Sequence, residues 1–232
     1  MEDAKKVKNN YIYSIDTKDM FILVLGLAVV TLAPIFIFNF EIIRTAGSEP
    51  IFLLALISWF IVHELVHGIS YRLSKGVTKH DVAFGAKLEK VVFFCVCKKK
   101  ISKKDTIRSL LTPLFVLGFA TLVIGFIFNL ELLIILSCAN ICGSAGDILM
   151  SLFIRKMPND LEFIEDNDNN FVIITSEDIP QKKSFGVKFK KREEDFEKIA
   201  PIVSRKVLIS KWSYVIFGSL CVYTVLSFIG IV

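Results

Sequence analysis

The sequence predicts an all-α integral membrane bundle of about five transmembrane helices, with small β strands or hairpins lying against the membrane in two cytosolic loops. Three observations predict it. Of the 232 residues, 53% are hydrophobic, against about 45–50% in a soluble domain. The apolar residues are gathered into runs of roughly 20, the length a helix needs to cross a hydrocarbon core of about 30 Å. Basic loops alternate with non-basic ones along the chain, as the positive-inside rule expects.

The runs place spans at about Met20–Phe40, Pro50–Tyr71, Ile107–Phe128, Leu130–Ile154 and Trp212–Val232. The residues before the first run are polar and charged. No small-residue cleavage site follows that run, so it is expected to stay as an uncleaved anchor. Three units follow from this layout: a core over 1–155 with four spans and a strand-rich loop at 73–106, a cytosolic segment over 156–206, and the fifth span over 207–232.

The net charge of +5 sits between the apolar runs. It therefore reads as topology and lipid contact rather than nucleic-acid binding. Lys5, Lys6, Lys8 and Lys18 precede the first span, and only Arg44 follows it. Lys98, Lys99, Lys100, Lys103 and Lys104 are among the many cations after the second span, and the link near Asn129 has none. The multi-pass protein is thus expected in the cell membrane with its N-terminus cytosolic and its C-terminus outside. Lys188–Arg192 reads as an anionic-lipid patch.

Within the loops, Val82–Val96 has strand composition broken by Gly85. Leu161–Thr175 reads as a hairpin turning at Asp166–Asn170. Glu193–Val203 fits a short surface helix limited by Pro201. Five cysteines, an odd number with two inside a span, argue against a disulfide framework. Cys138 and Cys142 read as small packing residues.

Residues 63–68 read His-Glu-Leu-Val-His-Gly inside the second span. On a helix, positions four apart share a face, so His63 and His67 can bind one ion. Glu64 follows the first histidine and can reach a water polarised by that ion, which suits it to general acid/base work. A charged Glu inside a span costs about 2.5–3.5 kcal/mol, so ionisable residues there read as functional. The bland reading is a polar cluster that only holds helices together.

A catalytic zinc usually takes three protein ligands. The fourth span offers Asp147, in Gly143-Ser144-Ala145-Gly146-Asp147-Ile148, where small residues allow close helix approach. His67 lies five residues before Arg72 and Asp147 eight before Arg155, so both fall about 7–12 Å inside the cytosolic border. Asn140 is a candidate for substrate binding or site support, as is Ser144. Ser137, Asn140, Ser144 and Thr112 are expected to line a wet cavity. Arg108 is expected to snorkel to headgroups, and His80 to lie on the surface.

These residues resemble the bacterial membrane zincin peptidases of domain-of-unknown-function family 3267. The resemblance rests on the 63–68 motif, the basic strand-rich loop, Thr112-Pro113, and Asn140 followed by Gly-Ser-Ala-Gly-Asp-Ile at 143–148. The layout is also similar to site-2 proteases, although the Asn-Pro-x-Asp-Gly pattern usual there is not present. The resemblance implies Zn2+ on His63, His67 and Asp147, Glu64 as acid/base, and a membrane-protein or peptide substrate. Two rival readings are a zinc-binding scaffold or regulator without turnover, and a transporter-like or bis-histidine haem protein. A haem needs ligands on opposite faces, whereas His63 and His67 share one.

Overall fold

A computed structural model describes residues 9–15, 17–37, 49–87, 92–159, 161–165, 171–175 and 187–192. The fifth span and the Glu193–Val203 segment lie outside these residues. Helices α1 (Thr17–Ile37) and α2 (Glu49–Arg72) cover the first two apolar runs. The third run is a continuous helix over Lys103–Phe128, made of α3 (Lys103–Pro113), a π-helical stretch (Leu114–Ala120) and α4 (Thr121–Phe128). The fourth run is α5 (Glu131–Gly143) followed by α6 (Ala145–Arg155).

Among the described residues, Phe52–Arg72 and Lys103–Phe128 are each long and apolar enough to cross a membrane. The pair α5 and α6 qualifies as a third if counted together. The outer faces carry large exposed apolar side chains, including Phe21, Val29, Leu53, Ile69, Phe115, Phe119, Ile127 and Phe128. Large exposed apolar surface of this kind marks a protein or membrane contact face.

Local sequence explains where these helices begin and bend. Ser102 caps α3: its hydroxyl accepts from the Asp105 N–H at 3.1 Å and donates to the Asp105 carboxylate at 2.8 Å. Asn129, left-handed at φ 53°, turns the chain from α4 into α5. Across that turn a Cβ on Gly125 would come within 2.7 Å of Ile134 Cγ1, so glycine permits the close approach.

The fourth run is not the single straight helix expected. It bends by 43° at Ser144. The Ser144 hydroxyl bonds back to the Asn140 carbonyl at 2.9 Å, a side-chain bond that competes with the helix and bends it. Gly143 on one side and Gly146 on the other add no resistance.

The strand composition of the first loop folds as a hairpin of β2 (Val82–Lys87) and β3 (Val92–Cys97), paired antiparallel from Val82↔Cys97 to Lys87↔Val92. Gly85 does not break β2. It accommodates the ring of Phe94, which would meet a Cβ there at 2.3 Å. Asp81 opens β2, and the Thr78 N–H and hydroxyl, each 2.7 Å from its Oδ2, hold its carboxyl below the usual range.

The second expected hairpin is β5 (Glu162–Glu165) with β6 (Phe171–Thr175). It belongs to a larger sheet with β1 (Asn9–Ile15), β4 (Ile101–Ser102) and β7 (Val187–Arg192), ordered β4-β5-β6-β1-β7. The basic stretch Lys188–Arg192 is thus largely a strand, antiparallel to β1. A buried cluster around Tyr71, Cys97, Ile101, Ile154 and Phe163 joins α2, both sheets and α6.

Arg108 is exposed and also bonded to protein. It donates to the Ser70 carbonyl at 3.3 Å and the Ser74 hydroxyl at 2.9 Å near the end of α2, and pairs with Asp105 at 3.0 Å. Cys138 and Cys142 pack toward α1: the Cys138 thiol donates to the Thr31 carbonyl at 3.1 Å, and Cys142 Sγ lies 3.5 Å from the Thr31 hydroxyl. His80 is exposed.

Candidate metal centre

Helix α2 buries Ser58, His63, His67, Ser70 and Tyr71 and exposes Leu53, Phe60, Ile69 and Arg72. This is the 3.6-residue period that sets His63 and His67 on one inward face. Gly68 belongs to the same buried surface. A Cβ there would stand 2.3 Å from the Phe84 ring and 3.3 Å from Cys95 Sγ, so its missing side chain lets the β2–β3 hairpin rest on α2.

Asp147 lies in the first turn of α6, where the helix dipole favours a carboxylate. The bend at Ser144 sets the direction of that turn. The Asp147 Oδ2 is 3.3 Å from His63 Nε2 and 3.5 Å from His67 Nε2. The two Nε2 atoms are 3.1 Å apart, with the rings edge to face. Three ligand-type atoms therefore meet at one point.

The outer nitrogens show which atoms face that point. His67 Nδ1 lies 2.8 Å from the Ser109 backbone carbonyl. A carbonyl only accepts, so this nitrogen donates. His63 Nδ1 lies 2.8 Å from Asn140 Oδ1. The Asn140 Nδ2 donates to the Pro113 carbonyl at 3.0 Å, which fixes the amide's orientation and leaves Oδ1 to accept from His63. Each Nδ1 therefore carries a hydrogen, and each Nε2 is turned toward Asp147.

Zinc fits this donor set. Ligand bonds of about 2.0–2.1 Å in a tetrahedron put ligand atoms about 3.3–3.4 Å apart, and the three separations here bracket that value. Each histidine also has the outer hydrogen bond that metal-ligating imidazoles almost always make.

A cavity of about 210 Å³ opens beside the three atoms. Glu64 lines it with His63, His67, Asp147 and Tyr71, and so do Phe93, Phe94, Cys95 and Val96. Four consecutive strand residues border a space when the strand's edge faces it. Among the described residues β3 pairs with β2 alone. The Cys95 N–H on that edge bonds the Glu64 carboxylate.

The four polar residues expected to wet the cavity do not line it. Ser137 bonds the Leu133 carbonyl and Thr121, Ser144 bonds the Asn140 carbonyl, and Thr112 bonds the Arg108 carbonyl and Ser70. Asn140 is buried between His63 and Pro113. Sequence reasoning assigned no role to Ser109; the proline four residues later was the available signal. The strand over Val82–Val96 was expected to hold an extended substrate by strand addition. No curated protein and no solved structure matches the chain. Residues 56–161, the stretch that builds this centre, match the model of the family described as "Putative zincin peptidase", domain-of-unknown-function family 3267, the same family the motifs resemble.

Proposed function

We propose that this protein is a membrane-embedded zinc metalloprotease that hydrolyses peptide bonds near the cytosolic leaflet. The observation that carries the reading is the meeting of two imidazole lone pairs and a carboxylate oxygen, all within 3.5 Å, beside a cavity that Glu64 also lines. His63, His67 and Asp147 hold the ion, and Glu64 is the acid/base.

Zinc bound there would polarise an amide carbonyl and lower the pKa of water at the site. Glu64 takes the proton from the attacking water and returns it to the departing amine. The substrate must be extended, because helical carbonyls are already hydrogen-bonded. Strand β3 borders the cavity, so an extended segment laid beside it by strand addition would pass Glu64. Phe93 and Phe94 on that strand supply apolar contact beside the cavity.

The large sheet supports a topology. Its strands come from before α1, from between α2 and α3, and from after α6. Paired strands share one side of a bilayer, and the basic loops make that side cytosolic. The N-terminus is then cytosolic, α1, α2, the third run and the α5–α6 pair cross in alternation, and the fifth span that the sequence predicts would carry the C-terminus outside. The partners are lipid and a membrane-protein or peptide substrate.

Purified protein with zinc should cleave an unfolded membrane-protein substrate. Glu64→Gln should retain zinc and lose about 10²–10⁴-fold in rate. Undiminished cleavage by that variant would refute the assignment.

A further inference from the structure

Proline inside a helix removes an N–H and needs a local reason to persist. Pro113 is buried within the Lys103–Phe128 helix, directly before its π-helical stretch. Two backbone carbonyls next to it are used by the metal centre. The first is Ser109, four residues earlier. In an α-helix its carbonyl would accept from the N–H of residue 113, and proline has none. The Ser109 carbonyl accepts from His67 Nδ1 instead, at 2.8 Å. The second is Pro113's own carbonyl, which accepts from Asn140 Nδ2 at 3.0 Å and so turns Oδ1 toward His63 Nδ1, at 2.8 Å. One residue reaches both histidines by separate routes.

The geometry points to Pro113 as a positioning residue that holds both imidazoles in the Nδ1–H tautomer, so that both Nε2 lone pairs face the ion. Any other residue at 113 brings an N–H aimed at the Ser109 carbonyl. That N–H competes with His67, whose ring is then free to place its hydrogen on Nε2, in the middle of the ligand set. The inference rests on reading the triad as a metal centre, yet its main readout is taken without metal.

The test uses full-length protein in detergent, labelled with ¹⁵N-histidine and stripped of zinc by chelator. Long-range ¹H–¹⁵N correlation distinguishes the two tautomers. The chain has three histidines, and His80→Gln removes the third signal. Wild type should show Nδ1–H at His63 and His67. Pro113→Ala should weaken or remove the Nδ1–H signal of His67 and weaken zinc binding, measured by chelator competition, about 10–100-fold. Asn140→Ala should alter His63 and leave His67 unchanged.

A wild-type His67 without a hydrogen on Nδ1 would overturn the proposal, as would a Pro113→Ala protein with wild-type Nδ1–H signals and zinc affinity. If Pro113→Ala does not fold, the wild-type spectrum and Asn140→Ala decide, and an unaltered His63 counts against. Wild type with the expected tautomers but no affinity for zinc would sink the metalloprotease reading while leaving the role of Pro113 intact.

Discussion

The Nε2 atoms of His63 and His67 stand 3.1 Å apart, and each ring's other nitrogen is bonded on the far side, to Asn140 and to Ser109. Lone pairs so placed repel one another and are stabilised by a cation between them and Asp147. Protein purified without chelator is therefore expected to carry about one zinc per chain. His67→Ala and Asp147→Ala should each lose it. Elemental analysis of the three proteins side by side checks this, and equal zinc in all three contradicts it.

The contact between Gly68 and Phe84 joins the hairpin to the histidine-bearing helix. Gly68→Ala forces the Phe84 ring away and should cost about 1–3 kcal/mol, the usual penalty for overpacking. It should also lower proteolysis by shifting the β3 edge relative to Glu64. Phe84→Leu in the same chain should recover part of both losses. Thermal unfolding in detergent and substrate cleavage measure the two effects, and a fully stable, fully active Gly68→Ala protein contradicts the prediction.

Ser102 caps α3 far from the ligands. Ser102→Ala should lower stability by about 1 kcal/mol and leave zinc content unchanged. A melting curve beside a metal assay tests this, and loss of zinc without loss of stability would be the wrong outcome.

A shared sheet demands a shared side. A cysteine placed at Lys79 should react with a membrane-impermeant maleimide only from the cytosol, and one placed at Asn129 only from outside. Labelling of both positions from the same side would break the topology.

Much of the centre was legible in the sequence because its signals are local. His63 and His67 are related by a single helical turn, and Asp147 stands out as a carboxylate in an apolar run. The bend at Ser144 was not legible: the small residues at 143–146 read as close packing, and the hydroxyl that competes with the helix gives no pattern of its own. The cavity lining was misread for a related reason. Polar residues in a span suggested a wet wall, but Ser137, Ser144 and Thr112 are satisfied by carbonyls of their own helices. Strand character in Val82–Val96 and the hairpin at Leu161–Thr175 followed from composition, while the turn that pairs β2 with β3 did not. β1 and β7 did not, since a strand of mixed polarity is recognised by its partners, and theirs are far away in the chain.

In the large sheet β1 lies between β6 and β7, with Tyr11 opposite Ile173 on one side and Lys191 on the other. The strand made earliest by the ribosome thus waits for two of the last to be made. Every described helix is made between these strands, so the contacts of this seam are among the most distant in the chain and slow to form. Trimming the N-terminus through Ile15 would leave β6 and β7 without the strand that joins them.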